Sequence, residues 1–495
     1  MILQRKSRSS ILFLLLFFAP AYSSLHAQSA KKYSKKVLLK MKEVESNLSG
    51  WVQIENNPQK WTLEERMKFY KANGVSIAVI QDYRIEWAKG YGCADSLEQR
   101  PVTTQTLFQA GSNSKSLHAV GLLKLVQEGK LDLNADINDY LKTWKFPYDS
   151  LSNGQKITIA NLLSHTAGLT VHGFDGYENG DTIPTLIQIL NGQKPANSDA
   201  IRSQYAPSLR YEYSGGGTTI SQLIIEDVTG MSYDEYMWKY VLKPLGMVGS
   251  SYTQPPPSVK QNLLATGYYN DGKAVPGKYH IYPEQAAAGL WTNPTDLARY
   301  VIDTQLSLLG KSQKVLSKET TELRLTPYID NSAALGVFVM EKDGVKHFQH
   351  GGVDEGFVSQ YAGSFEGGYG VVVMTNTYNT ALFDEIITSV AAVYNWNNYY
   401  SPVIKKEIKL AEQDLQSYRG NYEIGEFKYA IVQKSDGLYL DVSNVDYWNN
   451  TLWKIHFTDP TEFFVAETSA SFKFTTDTAG KITGFTWNAD FLKKE

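Results

Sequence analysis

The chain has 495 residues, 42% hydrophobic and 20% charged, enough apolar mass for large cores and for more than one domain. Its formal net charge is −3, and loss of a leader carrying Arg5, Lys6 and Arg8 would make it −6, so nucleic acid is not an expected partner. Cys93 is the only cysteine, which excludes an intramolecular disulfide and a cysteine-rich metal site and leaves a small packed residue as its expected role.

The chain opens with basic residues, an apolar run "ILFLLLFFAP" and the small-residue stretch "AYSSLHAQSA". That is the layout of a secretory signal peptide, residues 1–27, cut after Ala27, and it implies export to a periplasm or the medium. The apolar run is short for a bilayer span and nothing of about 18 apolar residues follows it, so the mature protein is expected to have no membrane span. Residues 28–60 are polar and helix-compatible. "GVSIAVIQDYRIEWAKGYG" then alternates as two strands joined by a short turn near Asp82 and Tyr83.

From about residue 157 to 300 the pattern is mostly helical with Gly and Pro breaks, which reads as a helical subdomain. Strand signals return in "GVFVMEKDGVKHFQHGG" and in "FVSQYAGSFEGGYGVVVMTN", the second a hairpin with a glycine-rich turn, before a helix from Leu382 to Tyr394. The two strand regions are expected to complete one antiparallel sheet. Residues 401–410 read as a linker, and residues 411–495 alternate as short strands with turn signals at Asp436-Gly437 and Ala479-Gly480, the pattern of a small all-β domain. The main domain, 61–400, is thus α+β, an antiparallel sheet flanked by helices with a helical subdomain.

Chemistry enters at "LFQAGSNSKSLHAVGLLKLVQEGKLDL". Ser112 lies three residues before Lys115, and the apolar stripe of Leu122, Leu123, Leu125 and Val126 places Ser112 at the first turn of a helix. Residues three apart share a helix face, so an ammonium one turn below a hydroxyl can take its proton or stabilise its alkoxide. A second S-x-x-K, Ser29 to Lys32, has no helix to carry it. There is no G-x-S-x-G elbow and no H-E-x-x-H. His165 in "LLSHTAGL" follows Ser164 directly, and adjacent side chains seldom face one another, so a structural role is expected. His118, three residues after Lys115, is expected to pack beneath the pair.

Ser112 to Lys115 is followed along the chain by "YSG" at Tyr213 to Gly215 and "HGG" at His350 to Gly352. In that order these motifs resemble those of the serine hydrolases related to class C β-lactamases and low-molecular-weight penicillin-binding proteins. "LLSHTAGL", "LIIEDVTGMSYDEYMWKYVLKPLGM", "LATGYYNDGKAV" and "AAAGLWTNPTDLARYV" occur in the family's order, over residues 74–395. The terminal domain, from "LQSYRGNYEIG", is similar to the lipocalin-like, barrel-forming domains appended to such hydrolases.

The resemblance implies a β-lactamase/transpeptidase-like fold, Ser112 as nucleophile, Lys115 and Tyr213 sharing the removal of its proton, and backbone N–H groups of Ser112 and Val353 as oxyanion donors. It implies substrate contacts at Gly215, His350, Gly351 and Gly352, and no metal or other cofactor. Literal Y-x-N strings stand at Tyr268 and Tyr447, but only Tyr213 directly precedes the "TTISQLIIEDVTG" helix. Gly215 stands where the family has asparagine, so the carboxamide that would hold a substrate amide is missing, and the glycines 215–217 allow either close backbone approach or a wider cleft. His350 stands where β-lactamases of this group have lysine, which weakens the attraction for a substrate carboxylate. The expected partner is a small molecule or short peptide, cell-wall peptide among them, in one of three roles: a hydrolase of ester, peptide or β-lactam, a D-amino-acid-specific peptidase, or an inactive peptide or glycan binder.

Overall fold

The computed structural model describes residues 33–396, 399–443 and 452–495. The expected signal peptide, the Ser29 match and the Tyr447 string lie outside them.

The main domain is built on a seven-stranded antiparallel sheet. The strands in chain order are β2 (Gly74–Gln81), β3 (Arg84–Asp95), β4 (Arg100–Pro101), β7 (Phe338–Lys342), β8 (Val345–Asp354), β9 (Phe357–Ser364) and β10 (Gly370–Thr375). Their order across the sheet is β4-β3-β2-β10-β9-β8-β7, so N-terminal and C-terminal strands meet at β2 and β10. The turn between β2 and β3 has Asp82 and Tyr83 at φ 54° and 58°, the left-handed pair that matches the twist of a two-residue hairpin.

Strand periodicity divides the core. Ala78, Ile80, Val372 and Met374 face a large core shared with helix α3 (Asn113–Gln127), the helix Pro294–Leu308 and the mostly helical middle of the chain. Val75, Ile77, Val79, Val371 and Val373 point the other way, into a core with α1 (Lys35–Glu45), α2 (Leu63–Phe69) and the helix Ala381–Val393. The central strands are buried on both faces, which is why "GVSIAVIQ" and "GVVVMT" read as nearly continuous apolar runs.

The residues 401–410, expected as a linker, carry a strand of their own. This is β11 (Val403–Lys405), paired in parallel with β1 (Val52–Ile54) inside the segment expected to be helical. Such pairing joins pieces some 350 residues apart, so no local pattern announces it.

Among the described residues, nine further strands between Gly420 and Lys494 nearly close into a barrel around Tyr422, Leu440, Trp453, Phe463 and Phe485. The ends of that strand order, Leu452–Lys454 and His456–Asp459, are consecutive in the chain. This barrel domain docks on the helical back of the sheet, away from α3. Val52 N–H donates to Ala466 O, Val52 and Ile54 bury Phe464, and Arg66 of α2 reaches Glu467 at 3.7 Å. No helix among the described residues is long and apolar enough to cross a membrane.

Candidate active site

A short ladder sets the start of α3. Strand β5 (Phe108–Gln109) pairs with β6 (Trp291–Thr292), Ala110 N–H donates to Leu290 O, and the chain turns through Gly111 at φ 52° into the helix. Ser112 is the N-cap. A serine there ordinarily accepts from a backbone N–H two or three residues on, but Ser112 makes no capping bond. Its Oγ instead accepts from Lys115 Nζ at 3.0 Å, and the same ammonium donates to Ala287 O at 2.7 Å. Ala287 lies in the short helix Gln285–Ala288, whose last carbonyls have no partner within the helix. Lys115 is buried, and both of these bonds go to uncharged acceptors.

Tyr213 reaches the pair from the middle of the chain. Ser214 caps the helix Gly215–Thr229 by accepting from Gly217 N–H at 3.0 Å, which fixes the residue before it. The Tyr213 ring centre lies 5.0 Å from Lys115 Nζ, and its hydroxyl is buried with no hydrogen-bond partner. His165 packs against this ring with centroids 4.3 Å apart, and its Nδ1 accepts from Ser214 N–H at 3.2 Å. Burial first, then Lys115 and His350, hold the His165 imidazole well below its usual pKa, so it is neutral. Its role is structural, as its sequence position suggested, yet the structure it supports is the tyrosine. His118 is buried between Tyr233 Oη and Ser221 Oγ, beneath the pair and without contact to Ser112.

Within β8, His350 is 3% exposed and its Nδ1–H donates to Gly351 O at 2.6 Å, leaving a buried, unpartnered Nε2. Burial pushes its pKa down to about 3, with Lys115 and Arg324 adding to the effect, so this strand end presents no positive charge at neutral pH. Phe338 packs on the ring at 5.1 Å. Gly352, expected to admit substrate, first of all admits the protein's own backbone: a methyl group built on it falls 1.9 Å from Ala110 O. Val353 follows, 41% exposed.

At Gly215 the structure favours close packing over a wider cleft. A methyl group built there falls 3.0 Å from the Phe174 ring and 3.3 Å from His172 O. The space into which an asparagine would project is filled by an aromatic edge. Tyr268, the other literal match, has its hydroxyl engaged by Ser96 N–H at 2.7 Å.

Sequence reasoning missed Ala287 O, Phe174, the His165–Tyr213 contact and two buried acids, Glu284 and Asp354. Neither Glu284 oxygen has a partner, and burial lifts its pKa to about 8. An acid two residues before an apolar "AAAGL" run was the available signal for Glu284.

The family profile described as Beta-lactamase matches residues 62–394. The chain belongs to the β-lactamase family. Protein flp of Staphylococcus aureus (strain N315) is 29% identical over 312 residues, covering 61% of this chain and 59% of the relative, so the chain matches about three fifths of that protein's length. Solved structures that share the fold include two penicillin-binding proteins or homologues. The octameric penicillin-binding protein homologue from Pyrococcus abyssi superposes with TM-score 0.61 at 23% identity, over 88% of this chain and 97% of that one. A penicillin-binding protein from Bacillus halodurans gives 0.55 at 22% identity, over 67% and 98%. The first of these spans most of the present chain, and the second two thirds of it. The fold is the β-lactamase and penicillin-binding-protein fold with an added β-barrel domain, and the family is one of serine hydrolases and acyltransferases.

Proposed function

We propose that this family member is an exported serine hydrolase that forms an acyl-enzyme on Ser112, with esters favoured over β-lactams and peptides. The observation that carries the reading is the Lys115 ammonium shared between Ser112 Oγ and Ala287 O, beside a buried tyrosine hydroxyl that has no hydrogen-bond partner. A binder has no use for a serine released from capping and held by a buried cation.

In the proposed cycle Ser112 Oγ attacks the carbonyl carbon and its proton passes to the Lys115 and Tyr213 pair, whichever of the two is deprotonated at that moment. The lysine's bond to Ala287 O keeps Nζ in place while it exchanges protons. The carbonyl oxygen becomes an oxyanion facing the Ser112 and Val353 N–H groups. Collapse breaks the bond to the leaving group, which takes the proton back. Water then attacks the acyl-enzyme, giving its proton to the same pair, and the acid is released as Ser112 recovers its hydrogen. No step as written draws on a metal or cofactor.

The preference for esters rests on what the cleft lacks. Neutral His350 offers a substrate carboxylate no charge, and Phe174 fills the place of a carboxamide that would bind a substrate amide. The leader sequence supports export, to a periplasm or the medium. The test is hydrolysis of a chromogenic short-chain ester and a chromogenic cephalosporin by the mature chain and by Ser112→Ala. Ester turnover that falls about 10⁴-fold or more in the variant is expected, with the cephalosporin acylating slowly. Turnover surviving in Ser112→Ala removes the nucleophile assignment, and efficient cephalosporin turnover removes the ester preference.

A further inference from the structure

The loop bearing Ser112 and the strand end bearing Val353 are in backbone contact, and one buried carboxyl group spans them. β8 and β9 are joined by Glu355 and Gly356, so the closing pair Asp354–Phe357 exchanges both backbone hydrogen bonds and the next pair, Val353–Val358, exchanges none. The Val353 N–H therefore points away from β9. A methyl group built on Gly111 falls 2.4 Å from Val353 N, and one built on Gly352 falls 2.9 Å from Ser112 N, so the open edge of β8 lies directly against the Ser112 loop.

Two backbones this close need something to hold them in register. Gly111 N–H donates to Asp354 Oδ2 at 3.1 Å, Ser359 Oγ donates to Ala110 O at 2.9 Å, and Asn113 Nδ2 donates to Ser359 Oγ at 2.7 Å. Asp354 is 3% exposed and its Oδ1 has no partner. Resting on the acyl-enzyme reading above, we propose that Asp354 is a positioning residue: by holding Gly111 N–H it fixes the separation of the Ser112 and Val353 N–H groups that receive the oxyanion. Burial lifts the Asp354 pKa far above the carboxylate range, against the pull of Gly111 N–H and Lys115. The side chain thus serves as a neutral acceptor, and it does not draw the Lys115 ammonium away from Ser112. A neutral acceptor has a neutral replacement. Asparagine offers the same oxygen to Gly111.

The experiment measures kcat and KM of the full mature chain on an ester and on the matching thionoester, in which sulfur replaces the carbonyl oxygen. An oxyanion hole set for oxygen discriminates strongly against sulfur, a readout that a loss of stability alone does not move. Asp354→Ala is expected to lower ester kcat by about 10- to 100-fold, less than the roughly 10²- to 10³-fold cost of removing an oxyanion donor outright, with KM little changed and the oxygen preference reduced. Asp354→Asn is expected to keep both within about threefold. An unchanged kcat in Asp354→Ala, an equal loss on both esters, or an asparagine variant as poor as alanine would each overturn the role. Should Asp354→Ala not fold, Ser359→Ala breaks the companion bond to Ala110 O, and an oxygen preference unchanged in that variant overturns the proposal. Turnover that survives in Ser112→Ala removes the acyl-enzyme reading and this role with it. Loss in Ser112→Ala with an unmoved preference in Asp354→Ala removes this role alone.

Discussion

Arg66 and Lys115 are buried cations on opposite faces of the same sheet, and they are treated in opposite ways. Arg66, on the back, is ion-paired. Its Nε and Nη2 make a two-pronged pair with Glu385 at 2.7 and 2.5 Å, Nη2 also donates to Tyr70 Oη, and the guanidinium lies over the rings of Trp61, Phe69 and Tyr70 at 4.0 to 4.7 Å. Lys115, on the front, has a hydroxyl and a carbonyl as hydrogen-bond partners and only the ring of Tyr213 at 5.0 Å. A planar guanidinium that never loses its proton suits a fixed junction, whereas an ammonium on a flexible stem with two neutral acceptors is poised to give and take one. The first arrangement ties α2, the helix Ala381–Val393 and the barrel domain together, and the second suits the role proposed for Lys115 above.

If the comparison is right, removing each cation should damage a different property. Lys115→Met is expected to lower kcat/KM on the ester by about 10²- to 10⁴-fold, the usual span of general acid–base catalysis, while the unfolding midpoint stays near that of the parent. A midpoint that collapses along with activity would make Lys115 a structural cation and break the contrast. Arg66→Met should do the reverse. It leaves Glu385 uncompensated and is expected to cost about 3–5 kcal/mol in denaturant unfolding, with kcat on the ester within a few-fold of the parent at temperatures where the variant is folded.

The smallest effect concerns pH at the same junction. Glu467 of the barrel domain is pushed up to about 7 by burial, opposed by Arg66 and reinforced by Glu385, and Asp384 beside them is likewise raised to about 7. An acid whose folded pKa lies above its unfolded value of about 4.3 binds more protons in the folded state between those values. Its contribution to stability is therefore complete below about pH 4.3 and declines as pH rises toward about 7. Glu467→Gln, which cannot ionise, is expected to flatten part of the fall in unfolding midpoint between pH 5 and pH 8. A pH profile identical to that of the parent would show that the raised pKa has no thermodynamic weight at this contact.

What could be read from the sequence was short in range. The Asp82-Tyr83 hairpin, the helix behind Ser112, and the i to i+3 spacing that brings Lys115 under the hydroxyl are all set by residues within one turn of each other. The mostly helical middle and the strand-rich tail were legible for the same reason, since a period of 3.6 or 2 is a local property. The strand within 401–410 was not legible because it has meaning only beside Val52–Ile54. At Gly215 the sequence left close approach and a wider cleft both open, because a missing side chain says nothing about what takes its place, and here that is Phe174.

By itself, then, the sequence determined the local pieces and, through motif order, the family: a serine at a helix start with its lysine, a tyrosine before a second helix, a glycine-flanked histidine at a strand end. Only the tertiary structure decided how those pieces act on one another. It set the neutrality of His350 and His165, the Ala287 carbonyl that shares the ammonium, the carboxyl of Asp354 holding Gly111 from 243 residues away, and the docking of the barrel on the back of the sheet, away from α3. The physical reason is that burial and long-range hydrogen bonding belong to the packed whole. A residue's charge state and partners follow from what surrounds it, and here those surroundings come from distant parts of the chain.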